Sequence, residues 1–368
     1  MSQYFNWHVP VFWCMKKNPM YYATQFEVAT EAGVSRSTVQ AVLSDSPIRI
    51  SAQVREHVKK AAARLNYRPN RYAKAMRNGK TGLIGLIDFG RLRHLSYRKI
   101  QVAAEKIIRS QYEPLVMETL WLPQNDDGGG ALCRRIIDSR VEGVVLVHPQ
   151  ISMFSPRPLE QLRQVGIEVV SIGGGEYLHG ISCFHSDRQW GYHAMARHLL
   201  NLGYRRLALL ADQSPFPRRG IEQAVAEHGE GAEVRFFSPF EVPEASPLTR
   251  DYLRGKTGME EILAENARPD AVICGNDEWA QGALTACTEA GLQVPQDLAL
   301  TGFDDDPSSA FGTLPLTTVA QPIAQISDQA VQCLLALIRE KRAPEPRRVD
   351  FRGQLIVRHS CGAFLRTA

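Results

Sequence analysis

Two groups of polar residues stand directly after short apolar runs, where parallel sheets usually carry their chemistry. Asn276 and Asp277 end the stretch AVICGND, and Asp304 to Asp306 end the stretch LALTGFDDD. Amide and carboxylate groups can hydrogen-bond the hydroxyls of a sugar or a nucleoside. The same residue types cap helices and form turns, which is the alternative role for Asp277 and Asp305. Asn276 and Asp304 share this alternative, and the position of the whole group after two strands predicts a site for a small hydroxylated molecule.

The sequence lacks the signatures of common catalytic sites. A phosphate-binding loop needs a glycine five residues before Gly79, but Lys74 stands there. His193 and His198 are five residues apart, so one helix face cannot present both to a metal ion. The glycine runs lack the GxGxxG spacing of a dinucleotide site. The sequence predicts that the protein is not an enzyme and holds no metal ion or cofactor.

Cysteines and apolar runs limit the class of protein further. The seven cysteines are scattered and never form a CxxC pair, which is typical of reduced thiols in the cytosol. No apolar run approaches the roughly 18–20 residues that span a bilayer. At the N-terminus, Lys16 and Lys17 follow the apolar stretch, the reverse of a secretory signal. We expect a cytoplasmic protein without a membrane partner.

Charge is distributed unevenly along the chain. Residues 1–80 contain 13 lysines and arginines against 4 acidic residues, whereas residues 81–368 contain 30 against 35. The formal net charge of +4 therefore combines a basic head with a mildly acidic body. Such a head is suited to bind a polyanion, and a merely soluble basic domain is the alternative.

The first of three helical segments in the head starts with a capping box, in which Thr24 and Glu27 cap each other. Its predicted inward face carries Phe26, Ala29 and Ala32. Gly33 follows and can adopt the positive φ that ends a helix and turns the chain sharply. The segment is too short to be stable alone, so it must pack against its neighbours.

The second segment presents a polar face. Ser35 is expected to cap it, and Arg36, Ser37 and Gln40 lie on its exposed side. Ser51 starts the third segment. Arg and Gln can hydrogen-bond base edges, while Ser can contact phosphates. Three short helices with one exposed polar helix predict a helix-turn-helix domain that binds DNA.

From residue 81, short apolar runs alternate with amphipathic segments. This pattern predicts parallel sheets covered on both faces, and two such sheets fit the length. The predicted strands are 83–87, 114–118, 143–147, 168–172, 206–210, 271–275 and 298–303. The predicted helices lie near 97–110, 131–139, 189–202, 278–290 and 324–341. A cleft between two lobes, beyond the carboxyl ends of the strands, is the expected ligand site.

The head resembles the lac repressor family of bacterial transcription regulators. The stretches FEVATEAGVSRSTVQAVL and ISAQVREHVKKAAARLNYRPNRYAKAM carry the resemblance, which covers roughly residues 23–362. It implies a homodimer on a near-palindromic DNA operator and a bilobed periplasmic-binding-protein-like core. It also implies a hinge helix from Asn70 to Arg77, with Met76 as the apolar wedge in the minor groove. The resemblance further implies that Asn276 and Asp304 contact the effector.

Two departures from the family pattern concern DNA and effector. Ala41 stands where Arg is common, and Gln40 where Ser is frequent, so the operator should differ from the commonest family sequence. Pro217 stands where the family places an effector-binding Arg, and Arg218 or Arg219 is expected to replace it.

A third departure follows the first strand of the body, where Arg91, Arg93 and His94 stand. These residues would suit an acidic or phosphorylated ligand, and a solvated basic loop is the alternative.

The fold expected from these observations is an N-terminal all-α helix-turn-helix domain followed by an α/β bilobed core with two doubly wound parallel sheets. Residues 1–20 form an extension, either a disordered arm or the product of a start codon chosen too early. The predicted domains are 21–69 for the helix-turn-helix, 70–80 for the hinge, and 81–368 for effector binding and dimerisation. Crossings near 182, 312 and 343 would give a first lobe of 81–182 and 312–342, and a second of 183–311 and 343–368.

The candidate site residues fall into two sets. Those for DNA are Thr24, Gln25, Ser35, Arg36, Ser37, Thr38, Gln40, Ala41, Ser51, Arg55, Tyr67, Asn70, Ala73, Lys74 and Met76. Those for the effector are Phe89, Arg93, Asp187, Arg218, Arg219, Asn276, Asp304 and Ile323. The predicted function is transcriptional repression controlled by a sugar-like effector. The alternatives are a regulator that activates, and one that responds to an acidic, phosphorylated or nucleoside ligand.

Overall fold

The computed structural model describes ten stretches of the chain. They are residues 23–43, 48–68, 80–89, 94–118, 129–149, 156–173, 180–229, 231–238, 249–340 and 345–365. The chain forms two compact units, with the division between Thr81 and Gly82.

The first unit contains the three predicted helices, which are α1 (Gln25–Ala32), α2 (Arg36–Leu43) and α3 (Ala52–Arg64). Their shared core includes Val28, Val39 and Val58, none of which is exposed to solvent. Phe26 is 63% exposed, so its predicted inward position is wrong. It lies two residues from Val28, on the opposite side of a helix that turns about 100° per residue.

The ends of α1 follow the sequence signals. The backbone N–H of Thr24 donates to Glu27 Oε2 at 2.7 Å, and the backbone N–H of Glu27 donates to the Thr24 hydroxyl at 3.3 Å. Gly33 adopts a φ of 63°, and Val34 N donates to Ala29 O at 3.0 Å. A side chain at Gly33 would be strained at this φ, so glycine is what allows α2 to start three residues later, at Arg36.

The described part of the second unit contains twelve strands, eight α-helices of eight or more residues and three shorter helices. The strands are β1 (Leu83–Asp88), β2 (Glu113–Glu118), β3 (Gly143–Val147), β4 (Glu168–Ile172), β5 (Ser182–Ser186), β6 (Arg206–Leu210), β7 (Glu233–Phe237), β8 (Ala271–Cys274), β9 (Ala299–Thr301), β10 (Thr318–Ala320), β11 (Arg348–Phe351) and β12 (Gln354–Ile356). The α-helices of eight or more residues are α4 (His94–Arg109), α5 (Gly130–Asp138), α6 (Pro156–Gln164), α7 (Arg188–Asn201), α8 (Pro215–His228), α9 (Arg250–Leu263), α10 (Asp277–Glu289) and, after the short helix Ser308–Phe311, α11 (Ile323–Glu340).

Two parallel sheets define two lobes. The first lobe contains a six-stranded sheet in the order β11-β5-β4-β3-β1-β2, and the second a four-stranded sheet in the order β7-β6-β8-β9. Alternate residues of β1 enter different cores: Leu83 and Ile87 pack on one face, Ile84 and Leu86 on the other. The first sheet is therefore covered on both faces, as the continuous apolar runs predict.

The chain passes between the lobes three times, each time later than expected. It leaves the first sheet after Ser186, returns after the short strand β10, and leaves again after Phe351. The expected crossings near 182 and 343 differ from this because β5 and β11 pair with each other in the first sheet. Both strands carry polar residues, so the apolar pattern did not reveal them.

Helices α9 and α10 pack backbone to backbone in the second lobe. A Cβ added to Gly255 would lie 2.0 Å from the Trp279 carbonyl oxygen, and one added to Gly282 would lie 1.9 Å from that of Tyr252. Neither gap can admit a side chain, so the two helices approach as closely as their backbones allow.

The described residues show six cysteines, all of them free thiols, and no cluster of metal-ligating side chains. None of the helices described is both long and apolar enough to cross a membrane.

Candidate functional site

A cavity of about 140 Å³ lies where the carboxyl ends of strands from both sheets face each other. Such edges are the usual ligand sites of open parallel sheets. First-lobe residues at its wall are Leu95, Lys99, His148, Gly173, His185 and Ser186. The remaining wall consists of Arg188, Asp212, Asp251, Arg254, Gly275, Asn276, Trp279, Asp304 and Gln321. Polar groups dominate, so the cavity suits a ligand rich in hydrogen-bonding atoms.

Asn276 stands at the end of β8 and caps α10. Its Oδ1 accepts from the backbone N–H of Trp279 at 2.9 Å, and its Nδ2 donates to Asp251 Oδ2 at 2.8 Å. The cap and the amide bond fix the orientation of the side chain at the cavity wall. Asn276 is thus both a structural cap and a cavity residue.

Asp304 follows β9 with a φ of 110°, which is rare for a residue with a side chain. Gln321 Nε2 donates to its Oδ1 at 2.6 Å. The pKa of the Asp304 carboxyl is raised to about 6, chiefly by burial and then by the charge of Asp306, while the hydrogen bond from Gln321 opposes the shift. A strained backbone that places a carboxyl with a raised pKa in a cavity is typical of a functional position.

Asp277 lies behind the cavity and has a structural role. Its carboxylate accepts from the Thr318 hydroxyl at 2.6 Å, the Ser309 hydroxyl at 2.8 Å and the backbone N–H of Asp306 at 2.7 Å. Only 1% of Asp277 is exposed, and burial raises its pKa to about 8. The side chain therefore joins α10 to the segment that follows β9.

The main cation of the first lobe at this site is Lys99, on α4. Its amine lies 3.0 Å from His148 Nε2, and only 1% of the residue is exposed. Burial lowers the pKa of Lys99 to about 8; the charge of Asp304 opposes this shift, and that of Arg188 adds to it. A buried amine beside a cavity is costly unless a ligand or water solvates it.

Arg188 is the first residue of α7 and brings a guanidinium to the cavity. Its Cζ lies 5.8 Å from the centre of the Tyr192 ring. Tyr192 is buried, and its hydroxyl donates to the carbonyl oxygen of Gly275 at 2.7 Å. The ring thus supports the arginine side chain from the second-lobe side.

In the first unit, α2 exposes a polar surface. Arg36 and Ser37 are exposed, and Gln40 is half-buried. The Ser35 hydroxyl accepts from the backbone N–H of Thr38 at 3.1 Å and so caps the helix, as predicted. The side chains able to contact bases therefore lie on one side of α2, opposite its core residues.

Two family models match the chain. The model described as "Bacterial regulatory proteins, lacI family" matches residues 26–70, and that of a "Periplasmic binding protein-like domain" matches residues 196–361. The chain belongs to the LacI family. Members of this family regulate transcription, so the prediction that the chain is not an enzyme is confirmed. The LacI-family chain is a DNA-binding transcriptional regulator with a ligand-binding domain.

Known relatives cover nearly the whole of this LacI-family chain. It is 28% identical over 340 residues to the HTH-type transcriptional repressor PurR of Escherichia coli, covering 92% of this chain and 96% of the relative. The PurR repressor of Shigella sonnei is 29% identical over 345 residues, with the same coverage.

Solved structures show the same fold. The lac repressor dimer bound to operator and the anti-inducer ONPF has a TM-score of 0.77 at 22% identity, covering 93% of this chain and 99% of that one. The transcriptional regulator CelR in complex with cellobiose has a TM-score of 0.62 at 25% identity, covering 92% and 99%.

The predicted effector residues divide between the cavity and other places. Asn276 and Asp304 line the cavity. Asp187 caps α7 through the backbone N–H of Trp190 and lines a neighbouring pocket with Phe216 and Arg348. Arg93 lies outside the described residues.

The other four predicted effector residues line neither the cavity nor the neighbouring pocket. Arg218 and Arg219 are exposed on α8, where Arg218 pairs with Glu222 at 2.8 Å, and neither lines the cavity. Phe89 and Ile323 are buried, with 3% and 5% exposed, and pack in the protein interior instead. Arg188 lines the cavity but was not among the predicted effector residues, although it directly follows Asp187 at a strand end.

Among the predicted DNA-binding residues, Ala41 is only 6% exposed, so its methyl group is covered within the domain. Ser51 caps α3 by accepting from Val54 N at 3.3 Å. Tyr67 packs partly against the helical core, and Gln25 and Arg55 are half-buried. The hinge residues Asn70, Ala73, Lys74 and Met76 lie outside the described residues.

Proposed function

We propose that the protein is a sequence-specific repressor whose operator affinity is controlled by a small hydroxylated molecule in the cavity between the lobes. One observation carries the proposal: Asn276 and Asp304 meet side chains of the opposite lobe, such as Lys99, at one cavity. A ligand that contacts both lobes binds one lobe arrangement better than others, and its differential affinity is what shifts the equilibrium.

The DNA-binding half of the proposal rests on α2 and the basic head. Arg36, Ser37 and Gln40 would contact base edges in the major groove, while Ser35, Ser51 and Tyr67 would position the backbone. We expect a cytoplasmic homodimer on a near-palindromic site, with hinge residues 70–77 in the minor groove. Residues 1–20 remain an extension outside this assignment.

A sugar or sugar derivative is the effector class that we favour. The polar wall offers amide and carboxyl groups to hydroxyls, and the similar regulator CelR was solved with cellobiose. A non-sugar effector is the second candidate, because the chain is also similar to the repressor named PurR.

The test first needs an operator sequence. Repeated selection of random duplex DNA by the full chain would identify one. Binding to the selected DNA is then measured with cellobiose, gluconate, glucose 6-phosphate and adenosine. We expect at least one compound to change operator affinity, and Asp304→Ala to abolish that response while DNA binding stays close to normal. Glu261→Ala, an exposed position on α9, is the matched control. A response that survives in Asp304→Ala at the same concentration would refute the pocket assignment.

A further inference from the structure

We infer that the effector carries an anionic group, a carboxylate or a phosphate, and that Lys99 of the first lobe and Arg188 of the second bind it. The inference rests on the proposed function and adds the charge of the ligand. The hydroxyls of such a ligand would face Asn276, Asp304 and Gln321.

None of the cavity cations forms a direct ion pair within the part of the chain that the structure describes, although Asp304 acts electrostatically on Lys99, and Asp212 and Asp304 act on Arg188. Lys99, Arg188 and Arg254 all line the cavity, and no described carboxylate oxygen lies within 4.0 Å of their side-chain nitrogens. Surface lysines and arginines nearby do form pairs, for example Lys106 with Asp328 at 2.5 Å. Positive charge is therefore left for a ligand at the place where the two lobes meet.

The carboxylates at the same wall already hold donors. Asp251 accepts from Asn276 at 2.8 Å, and Asp304 accepts from Gln321 at 2.6 Å. Asp212 is exposed and accepts from the backbone N–H of Ser214 at 3.1 Å. Each of these three acids thus accepts a hydrogen bond from a neutral group.

Two buried donors at the wall point to the same ligand chemistry. The Nε of Arg254 and the hydroxyl of Ser186 are buried and have no hydrogen-bond partner among the described residues. Only 7% of Ser186 is exposed, and it lines the cavity. Buried polar groups are nearly always satisfied, and the oxygens of a carboxylate or phosphate are strong acceptors for both.

Electrostatics explains why an anion would be bound tightly. Burial lowers the pKa of Lys99, and the positive charge of Arg188 lowers it as well. The two cations therefore lie close enough to repel each other, while the charge of Asp304 acts on the pKa of both in the opposite direction. An anion between them would relieve the repulsion and stabilise the arrangement in which the lobes approach.

The test uses matched sugars at constant ionic strength: glucose, glucuronate and glucose 6-phosphate, together with inorganic phosphate alone. Thermal shift and calorimetry on the full chain would report binding, since a ligand raises apparent stability by mass action. We expect at least one anionic compound to bind tenfold or more tightly than glucose. Whichever of glucuronate and glucose 6-phosphate binds more tightly shows whether the site prefers a carboxylate or a phosphate.

Variants assign the effect to the cavity. Lys99→Met and Arg188→Gln should each remove the preference for the anion, and Arg197→Gln, on the exposed side of α7, should keep it. Melting temperatures without ligand show whether each variant folds. If only one of Lys99→Met and Arg188→Gln folds, that variant alone is enough for the test. The inference is overturned if no anion stabilises the wild type, or if the preference survives in both cavity variants. A neutral sugar that binds and alters operator affinity would overturn it while leaving the proposed function intact.

Discussion

Arg98 donates from Nη1 to the backbone carbonyl of Asp305 at 3.2 Å, so a first-lobe helix is bonded to the strand end of the second lobe. The carboxylate of Asp305 is itself held by Arg358 Nη2 at 2.7 Å. Asp305 therefore has the structural role that the sequence left open for it. Its neighbour Asp304 lines the cavity, so this bond lies one residue from the ligand site.

Removing the bond should loosen the lobes. Arg98→Ala in the ligand-free protein is expected to widen the distribution of lobe separations, because one hydrogen bond of about 1 kcal/mol is lost. Small-angle scattering would show the change as a larger radius of gyration. Arg109→Ala, at the exposed end of the same helix, is the control and should not alter the profile. Identical profiles for the two variants would contradict the prediction.

Asp277 should matter for stability rather than for ligand response. Asp277→Ala leaves the hydroxyls of Thr318 and Ser309 without their acceptor, so we expect a loss of about 3 kcal/mol of unfolding free energy. Asp277→Asn keeps one carbonyl oxygen and should cost less. Chemical denaturation of the three proteins measures this. A loss below about 1 kcal/mol for the alanine variant would show that the network is dispensable.

The raised pKa of Asp277 also predicts a pH dependence. Its folded-state pKa of about 8 exceeds the ordinary 3.8, so the folded state holds more protons between these values. The contribution of Asp277 to stability is therefore complete at acid pH and declines as pH rises towards 8. Relative to wild type, Asp277→Asn should become more stable between pH 5 and pH 8. A difference that does not change with pH would mean that the carboxyl is ionised in the folded protein.

Gln40 should influence which DNA sequence is preferred. Its side chain can pair bidentately with adenine, and each lost base contact costs about 1–3 kcal/mol of discrimination. Selection from random DNA with Gln40→Ala should therefore give a consensus that is relaxed at one position in each half-site. Thr30→Ala, exposed on α1, should reproduce the wild-type consensus. The same consensus for all three proteins would remove Gln40 from the base-reading set.

Binding of an anionic effector should depend on pH in a defined window. Lys99 has a pKa of about 8 and Asp304 of about 6 in the free protein, and His148, His185, Arg188, Arg254, Asp212 and Asp251 share the cavity. Affinity for glucuronate should fall above pH 8, where Lys99 loses its proton, and should rise as the pH falls through 6, where protonation removes the negative charge of Asp304. Titration calorimetry would follow both limbs. Lys99→Met should flatten the alkaline limb only; an unchanged limb would exclude Lys99 from binding.

Much of the fold could be predicted from the sequence, because the spacing of apolar residues and the local composition determine most helices and strands. Five predicted helices of the body begin and end within a few residues of α4, α5, α7, α10 and α11. Strands β5 and β11 were missed because polar residues interrupt them. Their pairing depends on tertiary contacts between distant segments, which local patterns do not contain.

The cavity was only partly predictable. Asn276 and Asp304 followed from strand-end position and resemblance, and both line it. Lys99 was missed because it stands within an amphipathic helix, where a lysine usually faces solvent. Arg188 was not predicted, because the resemblance places the effector-binding arginine near Gly220. Which charged side chains converge from two lobes is a property of their packing, not of spacing along the chain.

The glycine contacts between α9 and α10 bear on how a signal would leave the cavity. Gly255 and Gly282 bring the two backbones together without an intervening layer of side chains, so neither helix can slide or rotate against the other. Asp251 and Asn276, one on each side of this contact, face the ligand site. A displacement at either residue would therefore move both helices together as one rigid body, and the three crossings between the lobes would have to accommodate that movement.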